Sequence, residues 1–231
     1  SYDKPVIIRT QAEAESIEKG HSTKTKTWKL QAENVRDFAF TSSRKYIMDA
    51  QAVKFPKGDV MAISIYPKEG NPLWEEYSTK AVVQTLESYS RMTFDYPYPK
   101  AISVHGKNQG MEYPMICWNY GRPNEDGSYS DRTKFGMISV IIHEVGHNFF
   151  PMIVNSDERQ WGWMDEGINT FVQYVAEQDF GEKYPEAIAP NAKYPSRRGE
   201  ASKITGYMGG NQDFISPIMS NPENVYQLGN N

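Results

Sequence analysis

The sequence predicts an α+β fold, a small mixed sheet followed by helices that carry a candidate metal site. Three observations point there. Strand-length runs, apolar or alternating, recur from Val6 to Trp118. A long helical pattern, Leu73 to Met92, interrupts them. Two further helical patterns follow, one containing His143-Glu144-Val145-Gly146-His147 and the other opening on Asp165-Glu166.

Residues 1–57 read as β structure. Val6-Ile7-Ile8 is a short apolar run, Thr25 to Leu30 and Val35 to Phe40 alternate, and Tyr46-Ile47-Met48 follows a Ser-Ser turn. So few strands cannot close a sandwich, and the stretch is expected to be the end of an N-terminal β domain, or edge strands needing cover. Lys57-Gly58-Asp59 marks the expected boundary and leaves residues 58–231 as a second domain. Val60 to Tyr66 is the next strand, closed by Pro67. Asn71-Pro72 reads as a cap with proline in the first turn, and Tyr77, Val82, Leu86 and Tyr89 give the helix that follows an apolar packing face. Ala101 to His105 and Met115 to Trp118 are strands on either side of the turn-like Gly110-Met111-Glu112-Tyr113-Pro114. His21 reads as a solvated turn residue and His105 as a hydrogen-bonded structural histidine. After a polar loop at 121–130, Ser130 or Asp131 should cap a helix that runs to about Phe150. Ile138, Val140, Ile141, Ile142, Val145 and Phe149 surround that helix with apolar groups, so it is expected to be central and buried. A last helix is expected from about Asp165 to Asp179, stopped by Gly181.

Side chains four apart on a helix stand on one face, so His143 and His147 can present two imidazoles to one ion. Glu144 sits beside them, where a carboxylate can take a proton from an activated water without being a ligand. Eighteen residues lie between His147 and Glu166, enough for a helix exit, a loop and a return that brings Glu166 in as a third ligand. Two histidines and one carboxylate leave a tetrahedral ion one open position, the mark of a catalytic rather than a structural zinc site. Asn148-Phe149-Phe150-Pro151 excludes the longer pattern in which a third histidine follows on the same motif. Beside such a site, Glu112 on a strand edge could pair with a substrate ammonium while the edge holds a peptide main chain.

Composition narrows the partners. A net charge of −4 with no dominant Lys/Arg cluster argues against nucleic acid. The single cysteine, Cys117, cannot form an internal disulfide, and in its apolar run it reads as an inert buried thiol. No apolar run approaches the length of a membrane span, and the N-terminal residues lack a signal-peptide core. The compartment stays open.

With Gly110-Met111-Glu112, His143-Glu144-x-x-His147 and Glu166 in this order and spacing, the chain resembles the zinc aminopeptidases of the aminopeptidase N family. The resemblance covers residues 58 to about 180 and implies a thermolysin-like catalytic domain with one zinc per chain. It implies that His143, His147 and Glu166 bind the zinc, that Glu144 is the general base, and that Gly110, Met111 and Glu112 contact the substrate, Glu112 through its free α-amino group. Tyr113 stands where the family has asparagine. The family's oxyanion-stabilising tyrosine is expected at Tyr226 or beyond Asn231, since Val225-Tyr226-Gln227-Leu228-Gly229 lacks the lysine that should follow. The family's other N- and C-terminal domains are expected to belong to a longer parent chain.

Three functions fit these residues. The first is an aminopeptidase acting on peptides with a free N-terminus. The second is a thermolysin-like endopeptidase with the same metal chemistry, from which Glu112 discriminates. The third is a zinc-binding but catalytically idle scaffold or peptide-binding domain, against which the intact Glu144 speaks.

Overall fold

The computed structural model describes residues 1–19, 25, 27–107, 110–187, 202, 204–210 and 219–221. His21 and Tyr226 lie outside the described residues. Six strands form one mixed sheet: β1 (Val6–Arg9), β2 (Ile47–Phe55), β3 (Gly58–Tyr66), β4 (Lys100–His105), β5 (Met111–Tyr113) and β6 (Ile116–Asn119), in the spatial order β1-β2-β3-β4-β6-β5. The β2–β3 pair is an antiparallel hairpin that closes at Phe55 and Gly58, whose φ of +131 favours glycine. The expected domain boundary after residue 57 falls in this turn. On its N-terminal side, β1 and β2 pair in the same sheet as β3.

The β3–β4 pair is parallel, so the chain must cross over, and helix α2 (Leu73–Met92) makes the crossing. It is apolar on more than one side because it is covered on more than one side. Leu73, Trp74, Tyr77, Val82, Leu86 and Tyr89 are all buried, the helix packing against β2 and β3 and against helices α3 (Asp131–Gly146) and α4 (Ile168–Lys183). Fully burying a side chain of this size is worth roughly 1.5–3 kcal/mol, which makes this the principal core. β4 and β6 are also parallel, and β5 folds back antiparallel on β6 as an edge strand. Cys117 on β6 is buried, and burial pushes its thiol pKa up, as expected of an inert core residue.

Three expectations are corrected. The described residues of 25–30 and residues 35–40 form no strand, and Trp28, Leu30, Phe38 and Phe40 are exposed. A short helix, α1 (Gln11–Lys19), stands where only β structure was expected. Gly181 does not stop the last helix: it is buried inside α4. Among the described residues no helix is long and apolar enough to cross a membrane.

Candidate metal centre

Helix α3 starts where its cap places it. Ser130 is extended, and its Oγ accepts from the Thr133 amide at 3.1 Å. Its other end is shaped by Pro151, since the residue before a proline is biased away from helical angles. Phe150 accordingly sits at φ −137, ψ 111 within a π-type turn that follows His147. Its carbonyl is thereby freed from the helix ladder and accepts from His147 Nδ1 at 2.8 Å. The metal helix therefore ends at Gly146, not at Phe150 as the sequence reading expected.

The second histidine is oriented from α4. Gln173 Nε2 donates to Glu177 Oε1 at 2.7 Å and to Ser139 Oγ at 2.9 Å, which fixes which end of the amide faces His143. Gln173 Oε1 is left to accept from His143 Nδ1 at 2.8 Å. With both Nδ1–H groups committed to acceptors, the two Nε2 atoms are the ones turned toward a possible ion, and they face each other at 3.0 Å. Two nitrogens at that distance need either a shared proton or a metal cation between them. Glu166 Oε2 completes the group, 3.1 Å from His143 Nε2 and 3.8 Å from His147 Nε2. These separations bracket the ~3.3 Å expected between donors placed around one tetrahedral ion at zinc's usual bond lengths. The three sequence-predicted ligands are thus brought together, and their types suit a divalent cation.

Glu144 points into the same space. It is buried, and its Oε2 has no hydrogen-bond partner. Burial pushes its pKa up to about 7, with Glu112 and Glu166 adding to the rise and His143 and His147 opposing it. A β-carbon at Gly110 would overlap Glu144 Oε1, so the glycine is what lets this carboxylate lie against the start of β5. Asn148, the residue after His147, accepts from the Met115 amide at 2.7 Å and ties the β5–β6 turn to the end of α3. That tie carries Glu112 inward: its carboxylate, a His147 nitrogen and an Asp165 oxygen lie within 4.8 Å of one another. Met111 is exposed on the free edge of β5.

Four carboxylates, Glu112, Glu144, Asp165 and Glu166, therefore surround two imidazoles. Burial works to lower the His147 pKa, but Asp165, Glu112 and Glu166 together raise it to about 9. The hydrogen bond to His143 holds Glu166 below the usual carboxylate range. The His147 shift expresses a surplus of negative charge around that ring, which a bound divalent cation would neutralise, whereas the Glu166 shift expresses the histidines that face its carboxylate.

Sequence reasoning missed the residues behind the three candidate ligands. Asn169 donates to the His143 carbonyl at 2.9 Å and accepts from Tyr89 Oη at 2.8 Å, while Asp165 Oδ1 lies 3.2 Å from His147 Nδ1 as a charge partner without hydrogen-bond geometry. The signal was present as a polar stripe at helical spacing, Glu166, Asn169, Gln173 and Glu177. His105 lies apart from this group, its ring 4.9 Å from that of Trp74.

No protein-family model matches the chain. Among curated proteins it is 26% identical over 196 residues to Aminopeptidase 2 of Candida albicans, a match that covers 76% of this chain and 21% of that protein. The chain thus spans about a fifth of the length of that relative. Among solved structures it is similar to an M1 zinc metallopeptidase from Deinococcus radiodurans, with a TM-score of 0.49 and 15% identity over 77% of this chain and 35% of the other. A mutant of the same enzyme gives a TM-score of 0.48 and 14% identity over 77% of this chain and 36% of the other. The curated match agrees with the resemblance to the zinc aminopeptidases that the motifs carry.

Proposed function

We propose that this chain supplies the metal centre of a zinc aminopeptidase of the aminopeptidase N family, acting within a longer enzyme on peptides with a free N-terminus. The observation that carries the reading is the convergence of His143 Nε2, His147 Nε2 and Glu166 Oε2 beside the unpartnered Oε2 of Glu144. His143, His147 and Glu166 would hold the ion. Bound there, zinc supplies Lewis-acid polarisation of the scissile carbonyl and makes water acidic enough to be deprotonated near neutral pH.

The chain's own groups do the rest. Glu144 accepts the proton of the attacking water at its free Oε2 and passes it to the leaving amine nitrogen. Gln173 and the Phe150 carbonyl hold the two imidazoles in the tautomer that leaves Nε2 free. The free edge of β5 can bind the substrate main chain as an added strand, with Gly110 and Met111 leading to Glu112. Glu112 accepts charge-assisted hydrogen bonds from the terminal ammonium, so it fixes where the chain is cut.

A two-by-two comparison tests this in the full-length enzyme: matched free and N-acetylated peptides, with wild type and Glu112→Ala. We expect wild type to prefer the free peptide by about 30- to 5,000-fold in kcat/KM, and the preference to collapse in the variant. Equal rates on both peptides in wild type would favour an endopeptidase, and an undiminished preference in Glu112→Ala would remove Glu112 from amine recognition.

A further inference from the structure

A cavity of about 1010 Å³ opens beside the metal centre, and apart from His143 and Gln173 its lining has no role in the chemistry above. One wall is a single face of α3, with Arg132, Gly136, Ser139 and Val140 leading down to His143. The other is formed where β4 and β6 end, at Lys107 and Arg122. The cavity reaches the centre at His143, whereas Glu112 lies at the His147 side and does not line it. In a chain of net charge −4, three cations face this cavity and no carboxylate lines it. Among the described residues Lys107 and Arg132 make no ion pair, and Arg122 meets only Glu69, at 3.8 Å and with both side chains largely exposed.

We propose that this cavity receives the leaving side of the peptide and that Lys107, Arg122 and Arg132 select substrates carrying a carboxylate there. The inference rests on the reading of Glu112 as the amine contact. A peptide held by its ammonium at Glu112 and by its first carbonyl at the metal centre must continue past His143, into this cavity. Arg132 is eleven residues up the helix from His143, roughly 16 Å by the helical rise, while an extended peptide advances about 3.3 Å per residue. With the reach of an arginine side chain, the cations meet a carboxylate about two to four residues beyond the cut bond. That carboxylate can be the C-terminus of a short peptide or the side chain of an Asp or Glu in a longer one. Charge-assisted hydrogen bonds to guanidinium are the recognition in either case.

The test uses the zinc-loaded full-length enzyme and four substrates: a tetra-alanine free acid, its C-terminal amide, that amide with Glu in third position, and an aminoacyl anilide. The anilide has no leaving-side carboxylate, so its turnover reports the aminopeptidase reading alone. We expect the acid to exceed the plain amide about 10- to 100-fold in kcat/KM, falling with salt, and the Lys107→Gln/Arg132→Gln double variant to bring the two together. The Glu-containing amide separates a side-chain carboxylate from a terminal one: recovery of the rate shows that either serves. Equal rates on acid and amide in wild type, or a ratio unchanged in the double variant, would overturn the proposal. Should the anilide not be cleaved, the aminopeptidase reading fails by itself. Equilibrium binding of acid and amide to Glu144→Gln then decides the cavity separately, a preference for the acid that the two Gln substitutions abolish supporting it and no preference overturning it.

Discussion

The Glu144 carboxylate is buried, has one oxygen without a hydrogen-bond partner, and shares its space with two imidazoles. Glu144→Gln keeps the size of the side chain and removes its proton acceptor. We expect zinc to stay bound and hydrolysis to fall by about 100- to 10,000-fold, the usual cost of a lost general base; near-normal turnover would remove Glu144 from the mechanism. Gly110 gives a second case, because it lies directly against the Glu144 carboxylate. An added methyl would overlap Glu144 Oε1 and push the carboxylate aside, so Gly110→Ala should lower kcat by about 10- to 100-fold with unchanged zinc content. Unaltered kcat would show that the carboxylate has room to move. His143, Glu144, His147 and Glu166 were legible in the sequence as candidates because the two histidines stand one helical turn apart and Glu166 sits at a helix start. Asn169, Gln173 and Glu177 were not, because a polar stripe on a helix ordinarily reads as a solvated face. Here that stripe is buried against α3.

Among the elements, α2, β3, β4 and β6 were legible because their apolar residues have partners on both sides. The alternation at 25–30 and 35–40 misled for the opposite reason: alternation permits a strand, but only a neighbouring strand makes one. Helix α1 did carry a start signal, Thr10 and Glu13 bonding each other's backbone amides, yet its weak apolar face hid it among the expected strands. Helix α3 depends on a close approach at Gly146, where a β-carbon would overlap the Tyr89 hydroxyl and the Asn169 amide. Gly146→Ala should therefore destabilise by about 1–3 kcal/mol in denaturant melts, as overpacking does. A variant as stable as wild type would mean that α2 and α4 can separate from α3 without loss. Strand β2 carries a pH dependence in Asp49, which is buried and accepts hydrogen bonds from Tyr66 and Thr79. Burial outweighs those bonds and raises its pKa to about 6. Folding thus favours the protonated acid: the contribution is full below the ordinary value near 4 and is lost as pH rises through 6, on the order of 3 kcal/mol. Melts of wild type and Asp49→Asn between pH 4 and 7 should diverge in that sense as pH rises, and parallel curves would contradict it.

At the scale of the molecule, sequence reasoning put a domain boundary at Lys57-Gly58-Asp59, where the structure has a hairpin turn. The turn-forming residues there connect β2 to β3. The charge distribution was also hidden, because a net charge of −4 averages an acidic metal centre with a cationic cavity beside it. An acidic centre held by several elements should couple metal to folding: removing zinc with a chelator should lower the melting temperature, and adding it back should restore it. The most direct test of the central claim is the zinc content of wild type and Glu166→Ala after dialysis against a mild chelator. The account predicts one zinc per chain in wild type and loss of most of it in the variant, because the change removes the charged member of a three-ligand set. Stoichiometric zinc retained by Glu166→Ala would contradict it.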